Sequence, residues 1–165
     1  MRASGWFFIQ ARIFDYVPVG AVFGQGAQDS CVAACCRMLL HDSGIETAES
    51  YLRAALKLDQ GSYLSQVPDV LRDFEAKQEF VYRNDLTLDD LRDVVRSSPA
   101  MAFVKRASDR AGHALLVDAI SEDQVFLRDP LPLGSGKAYR VSVSDFVQVW
   151  LRPRNLLGRA VIAVR

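Results

Sequence analysis

Gln25, Cys31, His113 and Asp129 together carry the groups that thiol-based acyl transfer uses: a thiol, an imidazole, a carboxylate and a carboxamide. The text around the thiol, Gln25-Gly-Ala-Gln-Asp-Ser-Cys31-Val-Ala-Ala-Cys-Cys-Arg-Met-Leu-Leu40, is a polar loop running into an apolar helical segment. Cys31 therefore stands at a helix start, where the helix dipole and unpaired backbone N–H groups favour the reactive thiolate. Of the two histidines, His41 lies ten residues beyond Cys31, roughly 15 Å along a helix axis. That is too far for proton transfer. His113 remains as the base.

His113 begins a stretch, His113-Ala-Leu-Leu-Val-Asp-Ala-Ile120, that reads as a buried strand, with Val125-Phe-Leu-Arg-Asp129-Pro130 returning beside it. A reversal centred on Ser121 pairs Val117 with Val125, Leu115 with Leu127 and His113 with Asp129, all on one face. Asp118 then falls on the opposite face, so Asp129 is the carboxylate that orients the imidazole. The turn residues Ser121-Glu-Asp-Gln124 are centred slightly later, which calls for a bulge or a longer loop.

These residues resemble the papain-like cysteine peptidases of the bacteriocin-processing type, which cut leader peptides after a double glycine. The resemblance rests on Gln25 six residues before Cys31, the small-residue helix that Cys31 opens, His113 at a strand start, and Asp129-Pro130 sixteen residues later. It extends more weakly over roughly residues 20 to 165. It implies that Gln25 and the Cys31 N–H stabilise the oxyanion, with Gln28 as the rival donor. It also implies cleavage at small, Gly-Gly-like sites. The family usually has glycine directly after the thiol, where this chain has Val32, whose branched side chain would crowd a substrate backbone. Val32 and Gly112, flanking the thiol and the imidazole, are the candidate substrate-contacting positions.

Composition narrows the class. A chain of 165 residues, 50% hydrophobic and 24% charged, can bury a sizeable core as one domain, with residues 1–20 as an N-terminal arm. Twenty basic residues balance twenty acidic ones, which gives no electrostatic case for nucleic acid or an anionic membrane. Trp6-Phe-Phe-Ile9 is too short for a signal-peptide core and reads as a strand or arm. Three clustered cysteines argue against a disulfide framework and for a reducing, cytoplasmic setting. Cys31, Cys35, Cys36 and His41 do not make a zinc spacing, so no metal or cofactor is expected, and Cys35 and Cys36 read as small core residues.

Helical spacing or caps mark Ser30–Ser43, Thr47–Leu58, Ser65–Ala76, Leu88–Ser97 and Ser144–Leu151; Thr87 with Asp90 has the form of a capping box. Strand patterns cover Glu79–Tyr82, Ala100–Lys105, His113–Ile120, Val125–Arg128, Tyr139–Val143 and Arg159–Val164. The expected architecture is α+β and papain-like: a helical half carrying Cys31, packed on an antiparallel sheet carrying His113 and Asp129, with the site in the cleft between. Asp129-Pro-Leu-Pro-Leu-Gly-Ser-Gly136 reads equally as a plain turn or a substrate-contacting loop.

The function these readings favour is a cysteine endopeptidase. Without the transporter that usually follows such a domain, it resembles effector toxins that bacteria deliver into the cytoplasm of competitors, with a protein target and an immunity protein covering the cleft. The alternatives are a leader peptidase that matures a secreted peptide, a thiol deamidase or acyltransferase using the same site, and a non-enzymatic papain-like binding module. Retention of all four site residues disfavours the last.

Overall fold

A computed structural model describes residues 12–57, 64–76, 78–105, 112–150 and 159–165. The expected arm strand Trp6–Ile9 lies outside the described residues. In chain order the elements are β1 (Phe14–Asp15), α1 (Cys31–Asp42), α2 (Glu49–Leu56), a single 3-10 turn (Leu64–Gln66) leading into α3 (Val67–Asp73), β2 (Phe80–Arg83), α4 (Leu88–Val95), β3 (Ala100–Val104), β4 (His113–Ile120), β5 (Gln124–Asp129), β6 (Lys137–Ser142), α5 (Val143–Trp150) and β7 (Val161–Val164). The strands form one seven-stranded sheet in the order β1-β6-β5-β4-β3-β7-β2, and among the described residues the pairings are all antiparallel.

Both faces of the sheet are covered. Met101, Phe103, Ala114, Leu116 and Ile162 pack against α1, α2 and α3 through Met38, Leu40, Leu52 and Leu71. The alternate residues Ala102, Leu115, Val117, Leu127 and Val141 pack against α4 and α5 through Leu91, Val95, Phe146 and Trp150. The expected helical half is therefore one of two helical layers, because the central strands are apolar on both faces and each face must be buried. Thr87 caps α4 as its spacing predicted: its side chain accepts from Asp90 N, while Asp90 Oδ2 accepts from Thr87 N at 2.7 Å.

The β4–β5 register differs from the expectation. The turn brings Ile120 opposite Val125 and Ala119 opposite Phe126, and a bulge then sets Val117 opposite Leu127 and Leu116 opposite Arg128. The two strands are thus slid by two residues relative to the His113–Asp129 pairing. The cause is the later turn, which closes through Ser121 N to Gln124 O at 2.9 Å, together with Asp118 as the extra, bulged residue. A slip of two preserves the face, so His113 and Asp129 meet diagonally rather than directly across.

Candidate active site

Cys31 is the first residue of α1 and His113 the first of β4, so thiol and imidazole meet at the end of the sheet, where helix and strand both begin. Ser30 precedes the helix without accepting a capping hydrogen bond on its side chain, and the first turn contains no acidic residue, leaving the dipole's positive end to the half-buried thiol. Burial opposes charge on Cys31, but a hydrogen bond and the positive charge of His113, with backbone hydrogen bonds from Ala114 and Val32, bring its pKa below the ordinary thiol value.

The imidazole is fixed from behind. His113 Nε2 lies 2.7 Å from Asp129 Oδ1, which leaves Nδ1 as the nitrogen that meets the thiol. Burial disfavours the imidazolium, yet the Asp129 carboxylate and Cys31 outweigh it and raise the His113 pKa to about 10. Asp129 is in turn held by three donors: the ring, the Leu131 N–H at 2.9 Å on the same oxygen, and Tyr139 Oη at 2.5 Å on the other. Burial and the adjacent carboxylate push the Tyr139 pKa well up, so its hydroxyl stays a donor. Sequence reading assigned Tyr139 no role; its place two residues before Val141, on the inward face of β6, was the available signal.

Gln25 is buried, and its backbone is tied to the 130–136 loop by Gln25 N to Pro130 O and Gly134 N to Gln25 O, both 2.9 Å. Gly24 must be glycine here, because a Cβ would collide with the backbone of Gly134 and Ser135. The loop after Asp129 thus anchors Gln25, a contact its sequence did not reveal. The Gln25 side chain curls over its own loop, with Nε2 donating to Ala27 O at 2.7 Å and Gln28 O at 3.1 Å, while Oε1 is buried with no hydrogen-bond partner. Gln28 is exposed and enters this arrangement through its carbonyl. Val32 and Gly112, both partly exposed, flank the pair.

The remaining candidates fall elsewhere. Cys35 and Cys36 are fully buried, with pKa values driven up by desolvation, which suits inert core thiols. His41 sits at the far end of α1, 3.0 Å from Glu46. Among the described residues no three His, Cys, Asp or Glu side chains gather as a metal set, and no helix is long and apolar enough to cross a membrane.

At the far end of α1 a second polar cluster surrounds the buried Arg128. Arg128, 1% exposed, bridges Asp42 (2.6 Å) and Asp118 (2.8 Å) and donates to Ala21 O, while Tyr16 Oη donates to Asp118 at 3.0 Å. The cluster borders a cavity of about 570 Å³ that also touches His41 and Ser98. Asp118, expected only to point away from His113, is here the partner of Arg128.

An imidazole held between a carboxylate and a helix-start thiol can exchange a proton with the thiol, and the thiolate can attack a carbonyl carbon. The sequence profile of the peptidase C39 family matches residues 21–153. Among solved structures, the fold is similar to the peptidase domain of Streptococcus ComA, a bi-functional ABC transporter of a quorum-sensing pathway (TM-score 0.64, 20% identity, 87% of this chain and 96% of that one). It is also similar to a putative C39-like peptidase from Bacillus anthracis (0.65, 13%, 87% and 94%). A third likeness is a double-glycine-motif protease of an AMS/PCAT transporter, solved with its leader peptide (0.64, 13%, 88% and 90%). No curated protein matches the sequence.

Proposed function

The chain belongs to the peptidase C39 family of cysteine peptidases, and from that premise we propose that it is an endopeptidase that cuts leader-type peptides at a small-residue, Gly-Gly-like site. The observation that carries the reading is the placement of His113 between Asp129 and Cys31. In this mechanism the Cys31 thiolate attacks the scissile carbonyl carbon, and the oxyanion is stabilised by the Cys31 N–H and the Gln25 amide. The His113 imidazolium gives its proton to the leaving amine as the C–N bond breaks, leaving a thioester on Cys31. Water then loses a proton to His113 and attacks the thioester; the carboxylic acid departs and the thiol is restored. Asp129 holds the ring in place throughout.

Val32 and Gly112 line the approach to the thiol in this reading, and Val32 favours small residues around the cut. The likeness to the leader-bound double-glycine protease supports a peptide substrate. Incubation of the purified protein with a Gly-Gly leader peptide, followed by mass spectrometry, tests the proposal. Cleavage after the Gly-Gly pair, absent in Cys31→Ala and present in Cys36→Ala, is expected. An intact peptide alongside specific cutting of a folded bacterial protein would replace this reading with the effector role and its immunity partner. A mass gain of about one dalton on glutamine without chain cleavage would mark a deamidase.

A further inference from the structure

Residues 26–30 join the two oxyanion donors assigned above, and α2 grips that short connection at both of its ends. Glu49 accepts the Gly26 N–H with both carboxylate oxygens, each at 3.1 Å. Four residues on, Arg53 donates to Asp29 Oδ1 at 2.9 Å, to Asp29 Oδ2 at 3.2 Å and to Ser30 Oγ. Spacing of four residues puts both side chains on one helix face, one turn apart. The loop between the two grips closes through Ser30 N to Ala27 O at 3.2 Å.

Those grips set the carbonyls on which the Gln25 amide rests. Its Nε2 carries two hydrogens and faces the oxygens of Ala27 and Gln28, so presenting a hydrogen to an oxyanion means sharing or releasing a loop bond. The unpartnered, buried Oε1 marks an amide placed by its Nε2 contacts alone. A small shift of residues 27 and 28 therefore moves the donor, and at an oxyanion site placement decides its worth. Gly26 and Asp29 are exposed, so the Glu49 contact and the Arg53–Asp29 pair add little to stability, whereas the Arg53 bond to the buried Ser30 Oγ contributes to folding as well as placement.

We infer that Glu49 and Arg53 are positioning residues that set the oxyanion site by holding the 26–30 loop, an inference that rests on the roles proposed above for Gln25 and Cys31. Two reagents separate the oxyanion site from the thiol. Attack on p-nitrophenyl acetate passes through a tetrahedral oxyanion, expels p-nitrophenolate and leaves an acetyl thioester. Iodoacetamide alkylates the thiolate by displacing iodide, with no oxyanion. In Glu49→Ala and Arg53→Met, acetylation should slow roughly tenfold while alkylation stays within about twofold, and in Glu49→Ala the melting temperature should stay within about 3 °C. Glu49→Gln, which keeps an acceptor for Gly26 N–H, should recover most of the acetylation rate. Gln25→Ala should show the same selective loss, and adding Arg53→Met to it should cost little more, since both act on one donor. Wild-type acetylation in Glu49→Ala and Arg53→Met, or equal loss of acetylation and alkylation, would overturn the inference. Release of p-nitrophenolate undiminished in Cys31→Ala would instead overturn the thiol assignment on which it rests.

Discussion

Helix α1 runs between two polar clusters built from similar parts, each centred on a buried cation. At its first residue the Cys31 thiol meets His113, backed by Asp129 and the Tyr139 hydroxyl; at its last, Asp42 meets Arg128, beside Asp118 and the Tyr16 hydroxyl. Both clusters draw on β4 and β5, and in each a tyrosine donates to a carboxylate that holds a cation. They differ in what the cation can do. His113 can give up its proton and take it back, whereas the guanidinium of Arg128 stays charged and is saturated by two carboxylates and a carbonyl. A cavity of about 570 Å³ borders the arginine end. Burial and ion pairing therefore do not distinguish a reactive centre from a structural one; a movable proton beside a nucleophile does.

Loss of His113 should break the first cluster most severely. His113→Ala should lower peptide cleavage by about three orders of magnitude. It should also raise the midpoint of iodoacetamide alkylation against pH. In the wild type that midpoint lies below the ordinary thiol value; without the imidazole, only the backbone hydrogen bonds of Ala114 and Val32 oppose the burial that raises the Cys31 pKa, and the midpoint moves up. On the alkaline side, wild-type cleavage should fall as pH rises through about 10, where His113 loses the proton it must give to the leaving amine. A midpoint unchanged in His113→Ala would separate the thiol from the imidazole.

Arg128→Met tests the second cluster. Removing the guanidinium strands Asp42 and Asp118 against each other and should cost about 3 kcal/mol of folding stability in denaturant titration, while cleavage per folded molecule stays near wild type. Selective loss of activity without loss of stability would erase the distinction drawn between the two ends. The smallest effect is expected at Tyr139→Phe, which leaves one oxygen of Asp129 without its donor. Stability should fall by about 1–2 kcal/mol and cleavage only a few-fold, because the bond between Asp129 and His113 survives. Rescue of cleavage at lower temperature would show that the hydroxyl acts by holding Asp129 still.

Much of the first cluster was legible because its parts lie at element starts, which leave local marks: Cys31 where a polar loop becomes an apolar helix, His113 where a buried strand begins. The capping box at Thr87 was legible for the same reason. The second cluster was not. Its members come from β1's neighbour Tyr16, the end of α1, the bulge at Asp118 and the middle of β5, and no local period links them. The grip of α2 on the 26–30 loop was equally hidden, since Glu49 and Arg53 look like any solvated helix face until the loop is laid across them. Strand register carried a mixed lesson. Side-chain alternation put His113 and Asp129 on one face correctly, whereas turn position, which depends on backbone conformation, was displaced.

The bulge at Asp118 decides the sign of the charge that His113 meets. Near the turn, odd-numbered residues of β4 lie opposite even-numbered residues of β5, as Ala119 does opposite Phe126; below the bulge odd meets odd, as Val117 does Leu127. With Asp118 paired in the ladder instead of bulged, the upper register would continue and bring the even-numbered side chains of β5 to the imidazole's face, Arg128 among them, and turn Asp129 away. A guanidinium there would depress the imidazole pKa that the carboxylate now raises. By absorbing one extra residue the bulge keeps a carboxylate rather than a guanidinium beside the imidazole: deletion of Asp118 would leave Val117 opposite Leu127 in an unbroken ladder and keep that neighbour, whereas flattening Asp118 into the ladder would exchange the two.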